Sequence, residues 1–182
     1  MVGRHLSMDA YVLACQESPV RTLEKAINEA GLEVEEFLFA PVAAALACLT
    51  GDERRLGSLV IDIGYGNTTY AALAGDRLLA AGCFPMGSNK INDDLVHRFQ
   101  TTAVGAEKAK RESGTMLLTD VGVDETVSVP TIEGRGNHII SRLEMNRIIR
   151  LRMQETVELV AADVLRQIPD DSPTTGVVLV GG

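Results

Sequence analysis

The sequence has no tryptophan and only three cysteines and three histidines in 182 residues. Cys15, Cys48 and Cys83 are far apart with no Cys-x-x-Cys pair, and His5, His97 and His138 form no cluster. That spacing excludes a recognisable metal-ligand motif, and makes buried free thiols in a reducing compartment the simplest reading. Positive charge is scarce too: 17 Lys and Arg against 25 Asp and Glu leave a net charge of −8. A generic nucleic-acid binder needs a basic face to neutralise phosphates, so this balance argues against one. No run of about eighteen apolar residues occurs, and MVGRHLSMDA lacks the apolar segment of an export signal. Nothing here reads as membrane-spanning, exported, repetitive or of low complexity.

What remains is an ordinary globular composition, 46% hydrophobic and 23% charged. The length suits one domain, or two small subdomains sharing a core, that buries roughly 70% of the unfolded surface.

AYVLAC (10–15) is apolar and β-prone and predicts a strand. Ser18 then offers an N-cap with Pro19 at the first helical position, Val20, Leu23 and Ile27 give an apolar stripe, and Gly31 is a natural stop. FLFA (37–40) reads as a second strand, Pro41 opens the small-residue helix PVAAALACL, and GDERRLG (51–57) reads as a charged connector. SLVIDI, TTYAALA and RLLAAGCF follow at hairpin spacing and predict a three-stranded meander, with Ala74-Gly75-Asp76 as its second turn. A helix starts near Asn89, AEKAKRE (106–112) is a helical turn ended by Gly114, and VSV with the EGRGN loop predicts a small sheet. Ser141 caps a long helix whose Met145, Ile149, Met153, Val157, Val160, Val164 and Ile168 recur as one buried face. IPDDSPTTG is a loop, and VVLVGG a last buried strand. A mixed sheet with helices on its faces is the economical packing of that order.

The first meander turn, within LVIDIGYGNTTYAAL (59–73), holds more polar and glycine residues than a hairpin needs. Glycines let the main chain approach a ligand closely. Successive N–H groups in such a turn, helped by the hydroxyls of Thr68 and Thr69, can cradle an anion. Asp62 would suit a water-bound Mg²⁺, an ion that takes few carboxylates. An extended turn with a satisfied aspartate is the plainer alternative, and on this loop alone both stay open.

An aspartate-glycine hairpin, a meander, a helical insertion and a strand ending in Gly-Gly resemble the second half of the actin-like ATPase fold. Longer stretches resemble the FtsA family of bacterial cell-division proteins: AGLEVEEFLFAPVAAALACLTGDERRLGSLVIDIG, PMGSNKINDDL, AEKAKRESG, VSVPTIEGRG with SR and a long helix, and VVLVGG. They stand in that family's order, at about its spacing, over essentially the whole chain.

The resemblance implies an α/β, actin-like ATPase (ribonuclease H-like) fold: a mixed sheet with flanking helices and a small inserted α+β subdomain. Residues 1–40 would be a remnant of the family's extra subdomain, 41–87 and 151–182 the core of the second lobe, and 88–150 the insertion. It implies ATP or ADP with Mg²⁺ in a cleft. Asp62, Gly64, Gly66, Asn67 and Thr68 match the second phosphate loop, with Asp62 toward the metal. Gly87 lies near the phosphates, Glu107 and Lys110 match positions contacting ribose and adenine, and Gly181 and Gly182 begin the adenosine loop. Three departures from the pattern stand out. Asn67 and Thr69 stand where threonine and aspartate are usual, Tyr65 replaces a frequent glycine, and Ala40 occupies the place of an acid that positions the attacking water in many actin-like ATPases. At most weak hydrolysis is expected.

The implied role is an adaptor that self-associates like actin and links FtsZ filaments to the inner face of the cell membrane, alongside other division proteins. Another FtsA-like scaffold, of pilus-assembly type, and a weak ATPase or kinase are the alternatives. The acidic, apolar FtsZ C-terminal tail would dock on the insertion, where Arg142, Asn146, Arg147 and Arg150 cluster on or beside the long helix. The family's first phosphate loop and membrane-tethering tail have no counterpart in this sequence, so it reads as a fragment with half a nucleotide site and a self-associating apolar face.

Overall fold

Three β-prone runs separated by short turns build the predicted meander. β1 (Ser58–Ile63), β2 (Thr68–Ala74) and β3 (Arg77–Phe84) pair antiparallel in sequence order. β6 (Gly176–Gly181) joins the other side of β1 in parallel, giving a mixed sheet of order β3-β2-β1-β6. The computed structural model describes residues 5, 7, 8, 10–134, 136–168 and 176–181. Most of the predicted loop IPDDSPTTG, and Gly182, lie outside the described residues.

Helices cover both sheet faces. α2 (Ala40–Cys48) is built from small residues and so lies close to the strands, where Ala45 and the following Leu49 pack with Val60, Ala71 and Leu73. On the opposite face α6 (Arg142–Gln167) sets Val160 and Val164 against Ile61, Tyr70, Ala72 and Leu79. A third apolar cluster forms where α4 (Asn89–Phe99), α5 (Ala103–Ser113) and the hairpin of β4 (Thr126–Pro130) and β5 (Asn137–Ser141) meet the first turns of α6. Leu95, Phe99, Val129, Ile140 and Met145 fill it. Ser141 caps α6 as expected, accepting from the Glu144 N–H at 3.3 Å.

Several expectations are corrected. Residues 10–15 and 37–39 form no strand; they run without a ladder partner, and Ala40 already belongs to α2. An apolar run is a strand only if another backbone pairs with it. Tyr11 instead puts its hydroxyl on the free edge of β3, accepting from the Ala81 N–H at 3.0 Å. The first helix, α1 (Glu17–Glu29), is capped by Gln16 without a side-chain bond, and its apolar stripe buries no residue. The charged connector is a helix, α3 (Gly51–Leu56), closed by a reciprocal Thr50–Glu53 capping box. On α6, Val157 is exposed and Thr156 buried. At about 100° per residue, position 156 falls about 20° from Ile149 and position 157 about 80° from it, so Thr156 takes the inner place. The cysteines, finally, are exposed rather than buried.

Candidate functional site

In a parallel pair, the carboxyl ends of the strands form the edge where ligands collect in α/β proteins. Here those ends belong to β1 and β6, and Asp62 stands opposite Val180 on one side and Thr69 on the other. Gly181, opposite Ile63, has φ +121°, and a Cβ there would come within 2.3 Å of the Ile63 carbonyl oxygen. Only glycine lets the two backbones meet so closely beside the turn.

The turn itself is seated on the start of α4. Gly64 donates its N–H to the Asn67 carbonyl at 2.9 Å, while the Gly64 and Tyr65 carbonyls accept from the N–H groups of Ser88 and Asn89, each at 2.9 Å. In a trans peptide the C=O and the next N–H point in opposite directions. With both carbonyls turned to α4, the N–H groups of Tyr65 and Gly66 therefore face away from it, and neither joins a backbone hydrogen bond among the described residues. Gly87 is buried against this turn; a Cβ there would meet the Tyr65 carbonyl at 2.3 Å. Asn67 is exposed, its amide nitrogen 3.9 Å from the Cys83 sulfur. Thr68 corrects the reading of a loop hydroxyl donor: it is fully buried, and its Oγ1 donates to the Met86 carbonyl at 2.7 Å. It holds the loop carrying Gly87 instead of facing a ligand.

Beside the turn, α4 and α5 wall a cavity of about 660 Å³ lined by Tyr65, Asn92, Val104, Glu107, Lys108 and Arg111, among others. The Glu107 carboxylate accepts from Lys110 Nζ and Asn92 Nδ2, both at 2.6 Å. Those bonds, Lys110 first, hold its carboxyl below the ordinary carboxylate range against the opposing effect of burial. Lys110 also donates to the Ser88 carbonyl at 3.3 Å and does not line the cavity. It fixes Glu107 from behind.

The basic cluster on α6 separates into two kinds. Arg147 and Arg150 are exposed, with no carboxylate within 4.0 Å among the described residues. Leu151, 66% exposed, stands beside them. Arg142 is half-buried, pairs with Glu125 and donates to the Ser113 carbonyl. Asn146 is fully buried, accepting from the Thr115 N–H at 2.6 Å and donating to the Ser113 carbonyl at 3.2 Å. It ties the end of α5 to α6, which corrects its place among surface contacts.

Residues 59–180 match the family model described as "Cell division protein FtsA". The chain belongs to the FtsA family. It is 30% identical to the cell division protein FtsA of Escherichia coli K12, with 99% of this chain aligned to 44% of that protein, and 34% identical to that of Agrobacterium fabrum, with 100% aligned to 42%. The chain thus spans less than half the length of these FtsA relatives. Among solved structures, MreB5 of Spiroplasma citri, crystallised with ADP, superposes with a TM-score of 0.71 at 20% identity over 92% of this chain and 54% of that one. That likeness shows the actin-like fold.

Sequence reasoning missed Asn92 entirely and saw Tyr65 only as a departure from the FtsA pattern. The signal for Asn92 was present: an asparagine beside Ile91, Leu95 and Phe99 on the inner face of a helix implies a polar partner inside.

Proposed function

We propose that this chain is part of a nucleotide-binding cell-division adaptor, in which ATP or ADP is a conformational ligand more than a fuel and the FtsZ C-terminal tail is the partner. One observation carries the nucleotide reading: the Asp62–Thr68 turn, with two N–H groups turned away from α4, adjoins both the Gly181 edge and the Glu107 cavity. Phosphates would accept from the Tyr65 and Gly66 N–H groups, Glu107 would take ribose hydroxyls, and Gly181 would let the chain pass close to the nucleoside. Asp62 is half-buried at the strand end, and no cluster of three potential ligands exists among the described residues. That donor set fits Mg²⁺, which keeps most of its waters and would neutralise phosphate charge when bound.

Turnover is expected to be slow. Ala40 supplies no acid to orient a water, Thr69 supplies no second carboxylate, and positioning is a large part of phosphoryl transfer. Incubation of the chain with Mg·ATP is expected to show binding with little or no phosphate release. Turnover above about one per second would make it an enzyme instead.

The partner reading rests on Arg147, Arg150 and Leu151, an exposed basic and apolar strip at i, i+3 and i+4 on α6. It suits an acidic, apolar peptide. Among the described residues no helix is long and apolar enough to cross a membrane. Actin-like self-association is part of the same proposal.

A further inference from the structure

A side-chain hydroxyl occupies the outer edge of the sheet. β3 is the outer strand of the order β3-β2-β1-β6, and its ladder with β2 is regular from Ala80 to Phe84. In an antiparallel ladder the N–H and C=O of one residue point to the same side. At Ala81 both point outward, where the Tyr11 hydroxyl lies 3.0 Å from the nitrogen and 3.1 Å from the oxygen. Three further side chains aim that hydroxyl. As a carboxylate Asp163 only accepts, so the buried Tyr70 donates its proton to it and accepts from Gln167 Nε2 at 2.7 Å. The Gln167 amide is thereby turned with Oε1 toward Tyr11, which donates to it at 2.5 Å and is left to accept from the Ala81 N–H. Gly82 makes room for the chain, since a Cβ there would come within 2.5 Å of the Tyr70 ring.

From Leu78 to Phe84, β3 carries neither a charge nor a proline, two of the usual devices that keep an edge strand from pairing with another chain. Covering the edge is another such device, and Tyr11 supplies it: a pairing strand would need its own carbonyl where the Tyr11 oxygen sits. We propose that the chain Tyr11–Gln167–Tyr70–Asp163 is a latch that shuts the outer edge of β3, and that with Tyr11 released this edge pairs antiparallel with β3 of a second copy of the protein. A second copy suits the edge because a two-fold axis sets two identical, uncharged strands side by side in opposite directions. The contact lies on the opposite edge of the sheet from β6 and is independent of the nucleotide and peptide readings.

The test combines amide exchange by NMR with sedimentation, on the 182-residue chain and on three variants shown to be folded by circular dichroism. The variants are Tyr11→Phe, Gln167→Leu, and Tyr11→Phe combined with Cys83→Lys. In the parent the Ala81 amide is expected to exchange slowly at every concentration. At low concentration Tyr11→Phe and Gln167→Leu are expected to speed it about ten-fold or more. As concentration rises, that amide is expected to slow again while sedimentation shows species larger than the parent forms. Cys83 is exposed on the same strand, and Cys83→Lys is expected to remove the added association by placing charge at the edge. An Ala81 amide as slow in Tyr11→Phe as in the parent overturns the latch. Fast exchange in Tyr11→Phe alone, with Gln167→Leu like the parent, overturns the aiming of Tyr11 by the other side chains. An opened edge that adds no association at any concentration, or association that Cys83→Lys leaves intact, overturns the second-copy contact.

Discussion

At the carboxyl end of β6, Gly181 packs against β1 with no space for a Cβ. Its φ of +121° and the 2.3 Å approach to the Ile63 carbonyl leave no room for a side chain. Gly181→Ala is expected to destabilise the chain by about 2 kcal/mol, read as a lowered urea midpoint. An unchanged midpoint would mean that β6 ends differently. Glu107 makes a prediction in pH. Lys110 and Asn92 hold its carboxyl low, so the stability it contributes is fully present above pH 4.5 and fades as pH falls through its folded value. Lys110→Met is expected to move the acid-unfolding midpoint upward; a midpoint that stays put would show that the pair does not stabilise the fold. The turn between β1 and β2 was legible in the sequence because glycines that shape a main chain leave compositional marks. Thr68 and Asn146 were misread because a polar residue's type does not reveal whether its partner is a ligand or the protein's own backbone. Only the fold shows that Met86 and Ser113 already use them.

The helices show the same division between local and distant causes. The start of α6 is written in Ser141 and Glu144, and Ser141→Ala is expected to cost about 1 kcal/mol in chemical denaturation. The same logic was available for α3, where Thr50-Gly-Asp-Glu53 is a capping box; its charged residues drew the connector reading. Thr50→Ala should abolish that cap at a similar cost of about 1 kcal/mol. A loss below about 0.3 kcal/mol at either site would place the helix start elsewhere. The strands expected at 10–15 and 37–40 failed for a different reason. Strand formation depends on a neighbour's backbone, and no sequence window contains its own neighbour. The meander was readable because its three partners are consecutive and closely spaced.

At the scale of the whole molecule, two apolar clusters share α6, so the site and the basic strip belong to one connected framework. β6 leaves Val177 and Leu179 exposed, at 60% and 65%, on a strand that pairs on one side only among the described residues. An open edge with exposed apolar side chains favours association. Sedimentation is expected to show dimers or larger species growing with concentration, and a monodisperse monomer at high concentration would contradict this. The proposed adaptor role depends on partner binding, and the strip of Arg147, Arg150 and Leu151 lies wholly within the described residues. After circular dichroism confirms folding, the same organism's FtsZ C-terminal peptide should be titrated against the chain and against Arg147→Glu and Arg150→Glu. Micromolar binding is expected, weakened at least ten-fold by either charge reversal, a change of about 1.4 kcal/mol. A folded chain that ignores the peptide, or binds it equally well with both arginines reversed, would contradict it.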